Sequence, residues 1–237
     1  MRALIIQHDS VSPPGPIGER LAERGYEVVT AQVVDEEHAA DPDVVPSFPE
    51  IQDFDLVVAM GSIYSVYDVE RIGSWLIPEL QLLREADASG VPVLGICFGG
   101  QVLAQAHGGS VGRSPHPEIG WTRIDSDDPG LVGTGPWFQW HYDRWTLPPG
   151  AQEIARNAAA SQAFVLRRNL AVQFHPELTS SMLAGWYSTG GHDSARDFGL
   201  DPDQVLADTV VADPEARLRA YALVDAFLDR VAADSAP

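Results

Sequence analysis

At 237 residues, 45% of them hydrophobic and with glycine and proline spread along its length, the chain has the composition of a folded globular protein. Its net charge of −19 at neutral pH repels nucleic acid and anionic membrane surfaces, which excludes both as expected partners. All fifteen basic residues are arginine, so no Schiff-base or P-loop lysine is available, and the single cysteine rules out an intramolecular disulfide and suits a reducing compartment.

Met-Arg-Ala-Leu-Ile-Ile reads as a strand over 3–7 entered at once, without the apolar region of a signal peptide, so a cytoplasmic location is expected. The Pro/Gly-rich stretch 10–18 leads into a helix that ends near Gly25. A second strand covers 26–33, and an acidic, proline-punctuated surface loop follows over 35–52. The third strand, 54–61, is all apolar at its centre, as expected of a strand covered on both faces. A helix is predicted at about 74–89, a strand over 91–96, and a helix from Phe98 to Gly108-Gly109. This alternation predicts parallel βαβ units. Between 110 and 171 the runs become short and turn-separated. WTRID, WFQWHYD, AFVLRR and LAVQF read as antiparallel strands added to one side of the sheet. After Thr179 a helical segment reaches Ser188, a Gly/Asp-rich loop follows, and an amphipathic helix covers about 214–233. Its apolar side carries Leu218, Tyr221, Val224, Phe227, Leu228 and Val231. No apolar run approaches the ~20 residues of a spanning helix. One domain over 1–237 is expected, with its core at about 3–179 and a helical extension over 180–237.

Chemistry concentrates in two segments. VPVLGICFGGQ (91–101) places the lone thiol of Cys97 where an apolar strand runs into a glycine-flanked turn and a helix, a geometry that projects a nucleophile out of a parallel sheet. The flanking glycines permit a tight turn and close approach, and Cys97 itself is expected to carry a strained backbone. A helix start favours an anion by about 0.3–1 kcal/mol. For a thiol of ordinary pKa ~8.5 that is too little, so a histidine has to supply the rest. AVQFHPE (171–177) offers one. Pro176 holds His175 extended, and residues two apart in an extended segment face the same side, so His175 and Glu177 project together. His175 would take the thiol proton, and Glu177 would orient the ring and stabilise its charged form. Each segment alone has a plain structural reading, a buried small hydrophobe for Cys97 and a loop with a solvated glutamate for His-Pro-Glu. Together they favour catalysis. His141 and Asp143 form a His-x-Asp pair with no third ligand, so no metal site and no cofactor are expected. His8, His38, His107, His116 and His192 have no evident partner and read as surface or capping residues.

These segments resemble a known family. GICFGGQ (95–101) matches the G-x-C-x-G-x-Q nucleophile segment of class I, triad-type glutamine amidotransferases, and HPE (175–177) matches their histidine–glutamate motif. MGSIYSVYD (60–68), PEIGW (117–121) and WHYD (140–143) fall where the stand-alone, GMP-synthase-like branch has related segments. The resemblance implies a flavodoxin-like, three-layer α/β fold with a central, mostly parallel sheet and an added antiparallel edge. It implies that Cys97 attacks the γ-carboxamide of glutamine to form a glutamyl thioester. His175 then protonates the departing ammonia, and water hydrolyses the thioester. The oxyanion hole would be the backbone N–H groups of Gly61 and Phe98. Gln101 would line the substrate pocket, with Trp140 and His141 near the amino-acid end of glutamine. The branch often has Gly-Gly-Pro where this chain has Met60-Gly61-Ser62.

No synthetase segment to receive ammonia is evident in the chain. Either a separate synthetase subunit docks at the pocket mouth, or the protein hydrolyses glutamine or another γ-glutamyl compound by itself, as stand-alone γ-glutamyl peptidases of the family do. A third reading is a non-catalytic binding module on the same fold, against which the complete Cys-His-Glu set speaks. The stretch 190–204 fits a lid, a partner surface or a connection, with a flexible surface connection as the default reading.

Overall fold

The short apolar runs become the inner strands of one sheet because both of their faces are covered. The structure, a computed structural model, describes residues 1–233, so the last four positions of the expected helical extension lie outside the described residues. The parallel half is built from β1 (Arg2–Gln7), α1 (Gly15–Glu23), β2 (Glu27–Gln32), β3 (Leu56–Ala59), α2 (Val69–Ala88), β4 (Val93–Ile96) and α3 (Phe98–Ala106). Then come β5 (Ser110–Thr122), β6 (Asp125–Ser126), β7 (Trp137–Thr146), β8 (Gln152–Arg156), β9 (Ser161–Leu166) and β10 (Asn169–Val172). The chain closes with α4 (Ser180–Trp186), α5 (His192–Asp197) and α6 (Pro202–Arg230). The main sheet runs β2-β1-β3-β4-β10-β9-β8-β6, with the first five strands mutually parallel and the last three antiparallel to their neighbours.

Side chains alternate across the pleat into two cores. Ala3, Ile5, Leu56 and Val58 pack with Ile17 and Leu21 of α1 and with Leu223, Val224 and Phe227 of α6. Leu4, Ile6 and Val57 pack with Ile72, Trp75 and Leu76 of α2 and with Val102 and Leu103 of α3. The result is the three-layer, flavodoxin-like α/β architecture with an antiparallel edge. Arg20 of α1 and Arg24, just past its end, clasp Asp225 of α6, which ties the final helix to the first. No helix among the described residues is long and apolar enough to cross a membrane.

Several expectations are corrected. The run LAVQF is antiparallel to β9 but parallel to β4, and so completes the parallel half. WFQWHYD does not join the main sheet: it lies in β7, which pairs with β5 as a separate antiparallel ribbon with a register shift between Arg113 and Glu118. WTRID is divided, Trp121 and Thr122 ending β5 and Asp125 opening β6, which pairs antiparallel with β8 at the edge of the main sheet. Period-2 patterning identifies a strand without naming its partner, and the edge position is already taken by β9 on β10. The second helix begins at Val69 rather than at 74: Val69, Glu70 and Arg71 are exposed, and Ile72 is the first of its residues to enter the core. The final helix begins at Pro202, where Asp201 caps the first turn by accepting from the Asp203 N–H at 3.1 Å. Pro214, read as a helix start, lies inside it, and Leu218 is 67% exposed rather than on the packed side. Within 190–204, read as a loop, α5 forms a short helix.

One glycine shows how tightly the layers meet. A Cβ on Gly99, in the first turn of α3, would collide with the carbonyl of Ala59 at the end of β3. Gly99→Ala is therefore expected to cost about 3 kcal/mol or more, the upper range for overpacking, in urea unfolding. Wild-type stability in that variant would mean that α3 can shift off the sheet.

Candidate active site

In a parallel sheet the carboxyl ends of the strands form the crevice where ligands bind. Four such ends converge here. His8 follows β1, Gly61 follows β3, Cys97 follows β4, and the segment 173–177 follows β10. Register brings the last two together, since Ile96 lies opposite Val172.

Cys97 adopts φ +49° and ψ −106°, outside the comfortable regions for a side-chain-bearing residue, at a cost of order 1–3 kcal/mol. Its N–H donates to the Val172 carbonyl at 2.8 Å, which locks the corner to the neighbouring strand end. The thiol is nearly buried, with the sulfur 3.6 Å from the Gln173 amide nitrogen and 3.9 Å from the Trp140 carbonyl. His175 is held by its own N–H, which donates to the Phe138 carbonyl at 2.8 Å, and by the edge-on ring of Trp186 with centroids 5.0 Å apart. Its Nδ1 lies 2.8 Å from Glu177 Oε1. The pairing is made differently from expectation, because Pro176 and Glu177 sit in a turn rather than in an extended run. Glu177 is fully buried, and its Oε2 has no hydrogen-bond partner among the described residues. Burial works against a charged His175 ring, but the charges of and hydrogen bonds to Glu177 and Cys97 outweigh it and raise the imidazole well above its ordinary 6.5.

Gly61 lies against this pair. A Cβ there would stand 2.9 Å from His175 Cε1 and 3.8 Å from Cys97 Cβ, so only glycine fits without moving the ring. Phe98 opens α3 directly after the thiol, among the helix-start N–H groups that have no acceptor within their own helix. Gln101 is buried one turn further on, and its amide nitrogen reaches the Asp143 carbonyl at 3.3 Å and Gln173 Oε1 at 3.4 Å. Around Cys97 opens a cavity of about 360 Å³, within the usual range for small-molecule sites, walled in part by Gln101, Trp140, His141 and His175. The ring nitrogens of His141 are both engaged, Nδ1 with the Asp143 carbonyl at 2.9 Å and Nε2 with Glu118 at 3.0 Å. The Asp143 carboxylate accepts from Ser65 and Tyr67 at 2.6 and 2.9 Å. These two side chains therefore shape the wall. Part of the stretch 190–204 reaches the cavity too, through Gly190, Gly191 and Ser194.

Sequence reasoning missed several neighbours. Gln173 touches the sulfur, and its spacing of two from His175 was the available signal. Glu118, inside PEIGW, binds His141, Asn157 and Gln162. Trp186 left no signal, because only tertiary packing brings α4 against the histidine. His8, read as a surface residue, is fully buried.

The fold and the site define an α/β enzyme of the cysteine-hydrolase type. The model of the glutamine amidotransferase class-I family matches residues 17–185, and the chain belongs to that family. It is 32% identical over 154 residues to a GMP synthase [glutamine-hydrolyzing] subunit of Saccharolobus solfataricus, a match covering 59% of this chain and 77% of that one. It is 37% identical over 116 residues to GMP synthase of Aeropyrum pernix, covering 43% of this chain and 22% of that one. Against GMP synthases of this second kind the chain spans only 19–24% of their length. Among solved structures, a glutamine amidotransferase from Methylobacillus flagellatus superposes with a TM-score of 0.82 at 29% identity, covering 96% of this chain and 94% of that one.

Proposed function

We propose that the protein hydrolyses the γ-carboxamide of glutamine through a glutamyl thioester on Cys97, with His175 and Glu177 completing a triad. The observation that carries the reading is a strained, nearly buried cysteine facing a buried His–Glu pair inside a cavity of small-molecule size. Cys97 gives its proton to Nε2 of His175, the nitrogen not bound to Glu177, and attacks the amide carbon. The N–H groups of Gly61 and Phe98 receive the developing oxyanion, each worth about 3–4 kcal/mol of barrier. His175 then protonates the nitrogen as the C–N bond breaks, and ammonia leaves. Water attacks the thioester, its proton passes to His175, and the C–S bond breaks to release glutamate and regenerate the thiol. Gln101 and Trp140 flank the bound amino acid, while His141, tied to Glu118, holds the wall. The relatives named GMP synthase, one of them a separate glutamine-hydrolysing chain, support delivery of ammonia to a synthetase subunit.

A second reading, a γ-glutamyl peptidase, is favoured by Arg113. It lines the cavity with its guanidinium 4.8 Å from the centre of the Tyr142 ring, and no carboxylate pairs with it among the described residues. In so acidic a chain, an unpaired arginine at the cavity suits a substrate carboxylate. Ammonia and amino-acid release with glutamine and with γ-glutamyl dipeptides separates the two. The glutaminase reading expects turnover of glutamine and little effect of Arg113→Ala on its kcat. Turnover confined to dipeptides, with KM raised about tenfold or more in Arg113→Ala, would establish the peptidase instead. A chain inert to both substrates would leave the binding-module reading.

A further inference from the structure

His8 and Glu79 form a pair that no step of this reaction uses. Both side chains are completely buried, His8 just beyond β1 and Glu79 in α2. The imidazole is packed against Trp75 and edge-on to Phe98, at 5.6 and 4.8 Å between ring centres. Its Nε2 lies 3.0 Å from each oxygen of Glu79, and its Nδ1 lies 3.2 Å from the carbonyl oxygen of Gly61. A carbonyl oxygen can only accept, so Nδ1 carries a proton and donates it. A carboxylate behind a histidine fixes the orientation of its ring. Burial alone would lower this histidine, but Glu79 outweighs it and the ring ends above its ordinary value.

The bond falls on the residue whose backbone lies beside both Cys97 and His175. Glycine has the freest backbone of any residue, and no helix or strand constrains the chain over residues 60–68. Yet the two peptide units that flank Gly61 are both pinned. The Met60 carbonyl accepts from the Gly99 N–H at 3.0 Å, which fixes the plane that contains the Gly61 N–H. The Gly61 carbonyl accepts from His8, which fixes the following plane. With both planes held, neither φ nor ψ of Gly61 is free.

We infer that His8, braced by Glu79, is a positioning residue for the oxyanion hole: it locks the Gly61–Ser62 peptide so that the Gly61 amide stays set for the reacting carbonyl. The inference rests on the proposed reading of Gly61 as an oxyanion donor. His8 itself touches neither substrate nor thiol.

The test uses the full chain and three variants. His8→Leu removes the donor, His8→Asn sets an amide nitrogen near the place of Nδ1, and Glu79→Gln keeps a hydrogen-bond partner while removing the charge. Turnover of glutamine is compared with alkylation of Cys97 by iodoacetamide, a displacement at carbon that generates no oxyanion. His8→Leu is expected to lower kcat about 10²-fold, the usual cost of a misplaced catalytic group, with KM and alkylation changed less than about threefold. His8→Asn should recover about tenfold of that loss. Should His8→Leu fail to fold, Glu79→Gln has to lower kcat with alkylation unchanged. The idea is overturned by unchanged turnover in His8→Leu, by alkylation that falls in step with turnover, or by an asparagine that rescues nothing. A wild-type chain that alkylates normally but turns over neither glutamine nor γ-glutamyl dipeptides overturns the hydrolase reading as well. An active wild type indifferent to His8 overturns this inference alone.

Discussion

Serine in place of Cys97 is expected to lower ammonia release from glutamine at least about 10³-fold, the scale on which a covalent nucleophile is lost, while the protein stays folded. A hydroxyl fits the space of the thiol but is far harder to ionise, so the attacking anion is missing and the surrounding contacts are kept. Two further readouts follow from the geometry. A glutamine-analogue diazoketone should add its mass to the wild-type chain and not to Cys97→Ser, and a label that persists in the variant would contradict the assignment of the nucleophile. The His175 ring should also titrate lower in Cys97→Ala, because the sulfur is one of the groups that raise it. An imidazole that titrates identically in both proteins would mean that thiol and ring do not sense each other.

The second large effect is expected at Glu177. Glu177→Gln keeps the shape but exchanges the carboxylate bound to Nδ1 of His175 for a neutral amide. Loss of the orienting acid in such a triad costs up to about 10⁴-fold in kcat, because the imidazole loses its tautomer and the partner of its charged form. Stability should respond with a definite sign. His175 titrates above its ordinary 6.5 in the folded chain, so it contributes stability that is fully present below pH 6.5 and is lost as pH rises through the folded value. Each unit of separation is worth about 1.4 kcal/mol. Glu177→Gln removes a main cause of the raised value. It should therefore destabilise most at pH 5.5 and progressively less toward pH 9, in urea unfolding at each pH. At the alkaline end the wild type still buries a carboxylate with one oxygen unpartnered, a burden the amide lessens. A difference between the two proteins that is flat, or that grows with pH, would show that His175 and Glu177 are not coupled.

Local chemistry makes much of this legible in the order of residues alone. Short all-apolar runs such as Leu56–Ala59, bounded by turn signals, read as strands covered on both faces. Glycines around a lone cysteine mark the corner at Cys97. Proline after His175 keeps that residue out of a helix. Where expectation and structure part, the missing information is not local. Nothing in WFQWHYD says that its partner is β5 rather than the main sheet, because alternation names a face and not a neighbour. Pro214 looks like a helix start, although the Asp201-Pro202 pair is the stronger signal. Leu218 looks like part of a packed stripe until α6 meets α1 along a different face.

By itself, then, the sequence determined the order of strands and helices through the parallel half, the layered class and the residue types at the candidate site, since each depends on interactions within a few positions; it did not reveal the strand Gln152–Arg156 or the short helix His192–Asp197. Only the tertiary structure decided which strand ends meet. It set His175 against Trp186 and Gln173 against the sulfur, and it buried His8 between Trp75, Phe98 and Glu79, far from anything its neighbours in the chain announce. Burial and pairing depend on chain segments that are distant in sequence, and a polar residue such as His8 acquires its role only when packing excludes water and supplies its partners.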